Sequence, residues 1–312
     1  MTQPGAVLAV DVGGTTIKAA VVDAAGRSLA ELERPTAADR GPEAVVSELL
    51  NVIAELSARQ PVVNAVGVVV PGVVDAARGV AKFSANLGFR DLPITQLVQQ
   101  QTGLPALLDH DVRAAGAAEH AIGLTAGRAD SLLVVIGTGI AGVIHAAGSA
   151  VRGATGVAGE LGHIPVWPDG EACPCGQLGC LERYASAASI TRRYAELNGG
   201  LELSAAQIAA RLRHDHSADR VWGEATKALA LALATCTMLL DPAAIVLAGG
   251  LSQAGELLLN PVRAELEAQV RWRQPPPLLL SRLGGRAGLL GAAVLTWQSL
   301  GLDDFQGWRE PI

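Results

Sequence analysis

A short stretch in the middle of the chain gathers the residue types that bind soft metal ions. Three of the four cysteines lie within eight residues, and a histidine precedes the first of them by ten residues. Three thiolates and one imidazole form a Cys₃His set, the usual ligand count of a structural zinc site. The four residues are His163, Cys173, Cys175 and Cys180. The pattern predicts a bound Zn²⁺ that braces this part of the chain.

Other roles for these cysteines remain open. Buried cysteines often serve only as small core residues, but Cys173 and Cys175 lie in a loop rich in proline and glycine. A disulfide or another redox role is the main alternative to zinc. The chain shows no signal peptide, and Cys236 lies apart in an apolar helical segment. Both observations favour a reduced environment.

Two carboxylates bracket the cysteine segment. Glu160 and His163 are three residues apart and would share one face of a helical turn, while Glu182 follows Cys180 by two residues. If His163 binds a metal through one ring nitrogen, the other nitrogen can donate a hydrogen bond, for example to a sugar hydroxyl. The segment therefore predicts a polar pocket beside a loop that is made rigid by the bound metal.

A glycine-rich turn follows the first buried strand. Asp11 ends the strand, and Gly13, Gly14 and Thr15 form the turn before a second strand. Exposed backbone N–H groups in such a turn can cradle phosphate oxygens, and Asp11 could hold Mg²⁺ directly or through water. Lys18 could reach a phosphate, although a solvated strand position is the simpler interpretation.

A second glycine-rich turn, residues 137–142, matches the residue pattern of the dinucleotide-binding fingerprint but not its structural context. That fingerprint requires a helix directly after the glycines, whereas residues 143–146 read as a strand. A phosphate loop at a hairpin tip fits better, with Thr138 offering a hydroxyl beside Gly139. A plain glycine-rich hairpin is the alternative.

Two further polar groups lie at predicted turns. Asp111 follows a strand and precedes a helix, so it could cap the helix or act as general base for a substrate hydroxyl. Asn86 could both donate and accept a hydrogen bond, or it could be an ordinary turn residue.

Composition narrows the class of protein. Among 312 residues, 50% are hydrophobic, 3% are aromatic and the net charge is −6. An acidic chain is a poor non-specific partner for nucleic acid, and only ten residues precede Asp11, too few for a DNA-binding domain. The longest apolar run, residues 228–240, predicts a buried helix and no membrane span. We expect a cytoplasmic protein.

The order of predicted elements suggests an internal duplication. Residues 7–22 and 132–147 both read as a buried strand, a tight glycine turn and a returning strand. The pattern predicts two α/β domains whose turns face each other across a cleft: residues 1–111, completed by a C-terminal helix at 289–312, and residues 112–288 with the zinc loop. Helices are expected at 43–59, 112–121, 185–197, 205–212 and 218–240. Asn260 and Pro261 read as a cap and first residue of a further helix running to Trp272.

Together these motifs resemble the repressor, open-reading-frame, kinase (ROK) family of sugar kinases and regulators. The resemblance runs from about residue 7 to residue 290. It rests on five motifs in the family's order: Asp-x-Gly-Gly-Thr, Gly-Thr-Gly, Gly-Glu-x-Gly-His, Cys-x-Cys-Gly-x-x-Gly-Cys-x-Glu and Gly-Gly-x-Ser.

The resemblance implies an actin-like, hexokinase-like ATPase fold of two α/β domains around a central cleft. It implies transfer of the γ-phosphoryl group of ATP, with Mg²⁺, to a hexose hydroxyl, usually at C6. By match, Asp111 is the catalytic base, Gly249 and Gly250 contact adenosine, and the two glycine turns hold phosphates. The sugar ligands by match are Gly72, Asn86, His110, Glu160, His163 and Glu182. Many members are dimers or tetramers, with small-molecule sugar and nucleotide as partners.

Departures from the family pattern leave the sugar open. His110 stands where asparagine is common, and Ala141, Val143 and Ala248 stand where glycine is common. A glucokinase is the leading hypothesis. A kinase for N-acetylglucosamine or N-acetylmannosamine is the second, and a sugar-responsive regulator without catalysis is the third.

Overall fold

The computed structural model describes residues 5–60 and 62–308 of the chain. The strands of these residues are β1 Ala6–Val12, β2 Thr16–Asp23, β3 Ser28–Pro35, β4 Val63–Val70, β5 Val73–Asp75, β6 Val80–Ser84, β7 Phe89–Leu92, β8 Ala106–His110, β9 Ser131–Ile136, β10 Ile140–Ala146, β11 Ser149–Ala150, β12 Ile245–Ala248 and β13 Leu278–Leu280. The helices are α1 Pro42–Arg59, α2 Ile94–Thr102, α3 Asp111–Ile122, α4 Glu182–Ala185, α5 Ala187–Leu197, α6 Ala205–Ala209, α7 His216–Leu240, α8 Glu256–Gln269 and α9 Ala287–Ser299. Short 3₁₀ turns lie at Ala38–Arg40, Leu161–His163, Gly250–Ala254 and Gly284–Arg286.

The chain folds into two compact units. The first comprises the described residues up to Ala126 together with those from Arg286 onward, and the second is Gly127–Gly285. This division falls later than Asp111, where the sequence analysis placed it. The reason is packing: Ala114 of α3 belongs to the same buried cluster as Ala292 and Ala293 of α9, so α3 stays with the first unit.

Each unit is built on a five-stranded sheet of the same topology. The strand orders are β3-β2-β1-β4-β8 in the first unit and β11-β10-β9-β12-β13 in the second. In both, a three-stranded antiparallel meander continues into two parallel strands. The predicted duplication is therefore confirmed. The first unit carries an additional small antiparallel sheet, β5-β6-β7.

Strand β1 shows why these sheets are covered on both faces. Its residues are buried almost without interruption, and successive side chains point to opposite faces. Leu8 and Val10 join the cluster that includes Leu49 of α1. Val7 and Ala9 join the cluster that includes Ala292 of α9. A continuous apolar run thus forms a central strand between two helical layers.

Helix α7 is the core helix of the second unit. Its buried residues pack with β9 and β12 in one cluster. By length and composition it could cross a membrane, although 56% of its most apolar window is buried, as in core helices of soluble proteins, so it is weak evidence for a span. The helix was predicted at 218–240 and begins two residues earlier.

Helix α8 corrects one prediction. It begins at Glu256, after Gly255, and Pro261 lies inside it. A proline in a helix interior cannot donate to the carbonyl four residues earlier. That carbonyl belongs to Leu257, and it accepts a hydrogen bond from the indole Nε1 of Trp222 at 2.9 Å. A distant side chain therefore supplies the missing donor, which a local pattern does not reveal.

Smaller differences concern helix ends. The predicted helix at 185–197 is divided at Ser186, whose hydroxyl caps α5 by accepting from the N–H of Ser189 at 3.1 Å. Helix α6 ends at Ala209 instead of residue 212.

Candidate active site

The four predicted metal ligands lie together in the second unit. Their ligand atoms are all within 4.8 Å of one another. His163 Nδ1 is 3.9 Å from Cys173 Sγ, and the Sγ atoms of Cys175 and Cys180 are 3.7 Å apart. A tetrahedral ion with Zn–S bonds of about 2.3 Å separates its sulfur ligands by about 3.8 Å. The donor set therefore has the size of one tetrahedral metal site.

The cysteines are free thiols in this arrangement. The separation of Cys175 and Cys180 is well above a disulfide bond length of about 2.05 Å. Burial raises the pKa of Cys180, while hydrogen bonding to the backbone of Gln177 lowers the pKa of Cys175. A bound cation would displace the thiol protons and balance the charge.

A charged network that the sequence analysis missed holds the loop that carries the three cysteines. The carboxylate of Glu171 pairs with Arg183, Arg192 and Arg193. The N–H of Glu171 donates to the hydroxyl of Tyr184 at 2.7 Å. Because these partners follow Glu171 by 12 to 22 residues, no short motif signals the network; the unusual density of arginines on α4 and α5 was the available hint.

The Gly159–His163 segment carries two candidate sugar ligands next to the metal cluster. His163 ends a 3₁₀ turn and Glu160 precedes it. With Nδ1 of His163 directed at Cys173, Nε2 is the nitrogen left for a ligand. Gly159 has a φ of 99°, and a Cβ there would overlap the carbonyl oxygen of Gly142. Only glycine lets this segment lie directly against β10.

The second glycine turn is a hairpin tip, as predicted. Strand β10 follows it directly, which excludes the dinucleotide fingerprint. The Gly137 N–H donates to the Gly139 carbonyl at 2.9 Å, and the Ala187 N–H donates to the Gly137 carbonyl at 2.9 Å. The Ile140 N–H donates to Glu182 Oε2 at 2.8 Å. The start of α4 and the start of α5 thus fix the tip.

A cavity opens beside this tip within the second unit. Its volume is about 690 Å³, a size typical of small-molecule sites. Thr138, Ala187, Thr191, Arg192, Gly200 and Ser204 are among its lining residues. Gly249 approaches the end of β9, where a Cβ would overlap the Ile136 carbonyl oxygen. Gly250 begins the 3₁₀ turn that follows.

The first glycine turn lies in the other unit and is pinned by a residue the sequence analysis missed. The Gly13 N–H donates to the Thr16 carbonyl at 2.9 Å. Thr36, fully buried, donates its hydroxyl to the Gly13 carbonyl at 2.7 Å and its N–H to the Thr15 carbonyl at 2.9 Å. Thr36 stands more than twenty residues away in the sequence, so its role becomes visible only when β3 pairs with β2.

Asp11 and Asp111 interact electrostatically within the first unit. The pKa of Asp11 is raised from 3.8 to about 7, first by burial and then by the charge of Asp111, against an opposing effect of Lys18. Lys18 lies opposite Asp11 in the β1–β2 pairing. Asp11 also approaches the first turn of α9, because a Cβ on Gly288 would overlap its carboxylate.

Asp111 does not cap α3; the cap is His110. The Val112 N–H donates to His110 Nδ1 at 3.2 Å and to Asp111 Oδ1 at 2.7 Å. Asp111 is the first helical residue. His110 Nδ1 also lies 3.2 Å from Asp111 Oδ1. Its Nε2 is therefore the ring nitrogen left for a ligand, whereas an asparagine amide offers both a donor and an acceptor.

Gly72 and Asn86 both lie beside strand β6 of the small sheet. Asn86 is exposed in the turn between β6 and β7, and its Cβ is 3.6 Å from where a Cβ on Gly14 would stand. Gly72 has a φ of 107°, and a Cβ there would overlap the Phe83 carbonyl oxygen. Gly72 is thus required for the tight approach of β6, whatever else it contacts.

The structure brings the predicted residues together in two sets, one per unit. The first set is Asp11, Gly13, Gly14, Thr15, Gly72, Asn86, His110 and Asp111. The second set is Thr138, Gly139, Glu160, His163, Cys173, Cys175, Cys180, Glu182, Gly249 and Gly250. Their substrate-binding and catalytic roles remain predictions.

Comparison with known proteins agrees with this arrangement. The model of the ROK family matches residues 7–299. A glucokinase from Streptomyces coelicolor is 33% identical, with 93% of this chain and 97% of that protein aligned. An N-acetylmannosamine kinase from Escherichia fergusonii is 30% identical, with 92% and 97% aligned. A ROK family glucokinase from Streptomyces griseus, solved in complex with glucose and AMPPNP, superposes with a TM-score of 0.80 at 34% identity and covers 94% of this chain and 100% of that one.

The family match covers nearly the whole chain, and the structure superposes on the solved relative over 94% of its length. The chain therefore belongs to the ROK family, as a sugar kinase with the actin-like ATPase fold.

Proposed function

We propose that this chain is an ATP-dependent hexose kinase that transfers the γ-phosphoryl group of ATP to O6 of glucose. Relatives named glucokinase match it over more than nine-tenths of both chains. The observation that carries the proposal is the carboxylate of Asp111. It is held at the first residue of α3 by the Val112 N–H at 2.7 Å, in the unit that also carries Asp11 and the first glycine turn.

Asp111 is proposed to accept the proton of the sugar hydroxyl as that oxygen attacks phosphorus. One of its oxygens is engaged by the Val112 N–H, and 33% of its side chain is exposed, which leaves room for a hydroxyl. A helix N-terminus favours the ionised carboxylate and weakens it as a base. This is acceptable in phosphoryl transfer, where positioning and charge stabilisation supply most of the catalysis.

Residues of both sets are proposed to hold the two substrates. Backbone N–H groups of the two glycine turns would bind phosphate oxygens, and Gly249 and Gly250 would contact adenosine. Sugar hydroxyls would be bound by Asn86, His110, Glu160, His163 and Glu182, with Gly72 adjacent.

Two metal ions are part of the proposal. Mg²⁺ neutralises charge on the phosphates when bound, and Asp11 would hold it directly or through water. Zn²⁺ would be structural, held by His163, Cys173, Cys175 and Cys180, whose spacing fits a tetrahedral ion. Binding of His163 to the zinc ion would orient its imidazole toward the sugar.

Substitution of Asp111 tests the assignment of the base. General-base assistance typically contributes about 10² to 10⁴ in rate, so Asp111→Asn should reduce kcat with glucose by at least about a hundredfold. The fold and the metal content should be retained, because the amide keeps an oxygen for the Val112 N–H. The exposed Asp303 in the same unit offers a matched control, and Asp303→Asn should leave kcat unaltered. A near-normal rate for Asp111→Asn would show that another group accepts the proton.

The second candidate is an N-acylhexosamine kinase. It is favoured by the relative named N-acetylmannosamine kinase, which aligns over 92% of this chain. A coupled assay with glucose, mannose, N-acetylglucosamine and N-acetylmannosamine decides between the two by the ratios of kcat/KM.

The remaining family properties are also proposals. We expect a cytoplasmic protein that forms a homodimer or homotetramer, which light scattering of the purified protein would measure. A regulator without catalysis is the least supported function, because the relatives named kinases align over more than nine-tenths of both chains.

A further inference from the structure

We propose that Glu182 is a positioning residue for the nucleotide, because it fixes the second glycine turn from within its own unit. The family resemblance assigns Glu182 only to the sugar. Its Oε2 instead accepts the Ile140 N–H at 2.8 Å, across 42 residues of sequence. Ile140 is the first residue of β10 and directly follows Gly139. This inference rests on the proposed function, in which the second glycine turn binds phosphate.

The carboxylate oxygen occupies a closely fitted position. A Cβ on Gly139 would come within 2.5 Å of Oε2, and a Cβ on Gly162 within 3.2 Å. Gly139 belongs to the turn, and Gly162 belongs to the 3₁₀ turn that carries His163. Oε2 is therefore seated between two backbone segments that approach it closely only because both residues lack side chains.

The same helical segment holds the other end of the turn. The Ala187 N–H donates to the Gly137 carbonyl at 2.9 Å. Gly137 at the start of the tip and Ile140 directly after it are thus both bonded to the segment from Glu182 to Ala187. Thr138, between these two anchors, lines the 690 Å³ cavity together with Ala187. A carboxylate that fixes the turn also fixes the wall of that cavity.

Glu182 has a second oxygen for a different task. Among the residues that the structure describes, the Glu182 side chain accepts its hydrogen bond through Oε2. Its other oxygen, Oε1, can therefore accept a hydrogen bond from a ligand. If Oε1 binds a sugar hydroxyl as the family match implies, one side chain contacts the sugar and positions the phosphate loop. Truncation of Glu182 should then impair nucleotide binding even when no sugar is present.

Nucleotide binding without sugar separates this role from a sugar-only role. AMPPNP with Mg²⁺ is titrated into the wild type, Glu182→Ala and Glu182→Gln by calorimetry. The lost hydrogen bond lies within the protein, so it affects affinity only by releasing the turn from its binding geometry. A bond to a charged acceptor corresponds to about ten- to a hundredfold in an equilibrium, which sets the upper limit, and Glu182→Ala should raise Kd by about tenfold. Glu182→Gln keeps an acceptor oxygen and should stay within about threefold of wild type. Glu160→Ala, which removes the other candidate sugar carboxylate, should leave this Kd unchanged.

Hydrogen exchange supplies a readout that does not depend on any ligand. The Ile140 amide should exchange about tenfold faster in Glu182→Ala than in the wild type, because it has lost its acceptor. Exchange of the same amide should be unaltered in Glu160→Ala.

Gly139→Ala tests the contact between the turn and Glu182 by changing the turn. A Cβ in Gly139→Ala would push against Oε2, so this change should weaken AMPPNP binding in the wild type. In the Glu182→Ala background the space is empty, and Gly139→Ala should have a much smaller effect. This non-additivity is expected only if the two residues act through their contact.

The outcomes distinguish the two proposals. Unchanged AMPPNP affinity and unchanged Ile140 exchange in Glu182→Ala would overturn the positioning role. If the wild type itself binds no AMPPNP while Ile140 exchange still responds to Glu182→Ala, the contact stands and the proposed kinase function fails, and with it the role in nucleotide binding.

Discussion

Folding strongly alters the protonation of Asp11. Its pKa rises from 3.8 to about 7 because burial and the nearby charge of Asp111 disfavour its ionised form. Between these two values the native state binds more protons than the unfolded state. Stability contributed by this group therefore falls as pH rises from about 4 to 7 and stays low above 7.

Replacing Asp11 by asparagine should remove this pH-dependent penalty. Without Mg²⁺ or nucleotide, Asp11→Asn should be more stable than the wild type at pH 8.5, by at most about 4 kcal/mol for a shift of about three pKa units. At pH 5 the difference should shrink, because the wild-type carboxyl is then mostly protonated when folded. Urea unfolding at both pH values measures the two differences, with Asp303→Asn as an exposed control. A difference that grows as pH falls would contradict the assignment.

Residue types alone predicted the metal cluster well and the helix cap poorly. Soft ligands in a short loop have few other uses, so His163, Cys173, Cys175 and Cys180 could be named from spacing. The adjacent polar residues His110 and Asp111 could each cap α3, and in the structure the cap is His110. Thr36 and Glu171 could not be found, because their partners come from distant parts of the sequence.

Among the secondary structure elements, α8 shows how tertiary contacts override a local rule. Proline was expected to begin the helix, yet one full turn precedes Pro261. The indole N–H of the buried Trp222 replaces the absent backbone donor at the Leu257 carbonyl. The exception is therefore a joint property of α7 and α8.

A double-mutant cycle should reveal this compensation. Trp222→Phe removes the indole donor and some ring volume, and should lower the free energy of unfolding by about 1 to 3 kcal/mol. Pro261→Ala restores a backbone N–H that can bond to Leu257. Its stabilising effect should be larger in the Trp222→Phe background than in the wild type, by about 0.5 to 1 kcal/mol.

Urea denaturation of the four proteins gives the coupling energy, and Trp272→Phe, on an exposed tryptophan, controls for the change of ring. Strict additivity of Trp222→Phe and Pro261→Ala would show that the indole does not serve the Leu257 carbonyl.

Long periodic elements were predicted closely, and short ones were not. Helices α1, α3 and α7 fall within two residues of their predicted bounds, because each is long enough to carry a clear apolar pattern. The small sheet of β5, β6 and β7 was not predicted. Its strands have three to five residues, too few to establish a period of two.

For the molecule as a whole, duplication gives two sheets of one topology, whereas the residues that the structure describes contain one candidate metal cluster. The hairpin pattern repeated in the sequence was sufficient to predict the duplication, because each strand is an unbroken apolar run followed by a glycine turn. The division between the units was not predictable in the same way. It depends on α9, far away in the sequence, packing with α3.

Because the cluster lies wholly within the second unit, metal loss should act there first. We expect about one Zn²⁺ per purified chain by elemental analysis, and a lower melting temperature after chelation, since binding energy at such a site contributes to folding. Hydrogen exchange should accelerate in β9 before it does in β1. Cys180→Ser should reproduce both effects without a chelator. Cys236, buried in α7 and outside the cluster, provides the control: Cys236→Ala should keep its zinc. A chain purified without metal, or a Cys180→Ser variant that retains it, would mean that the four ligands serve some other purpose.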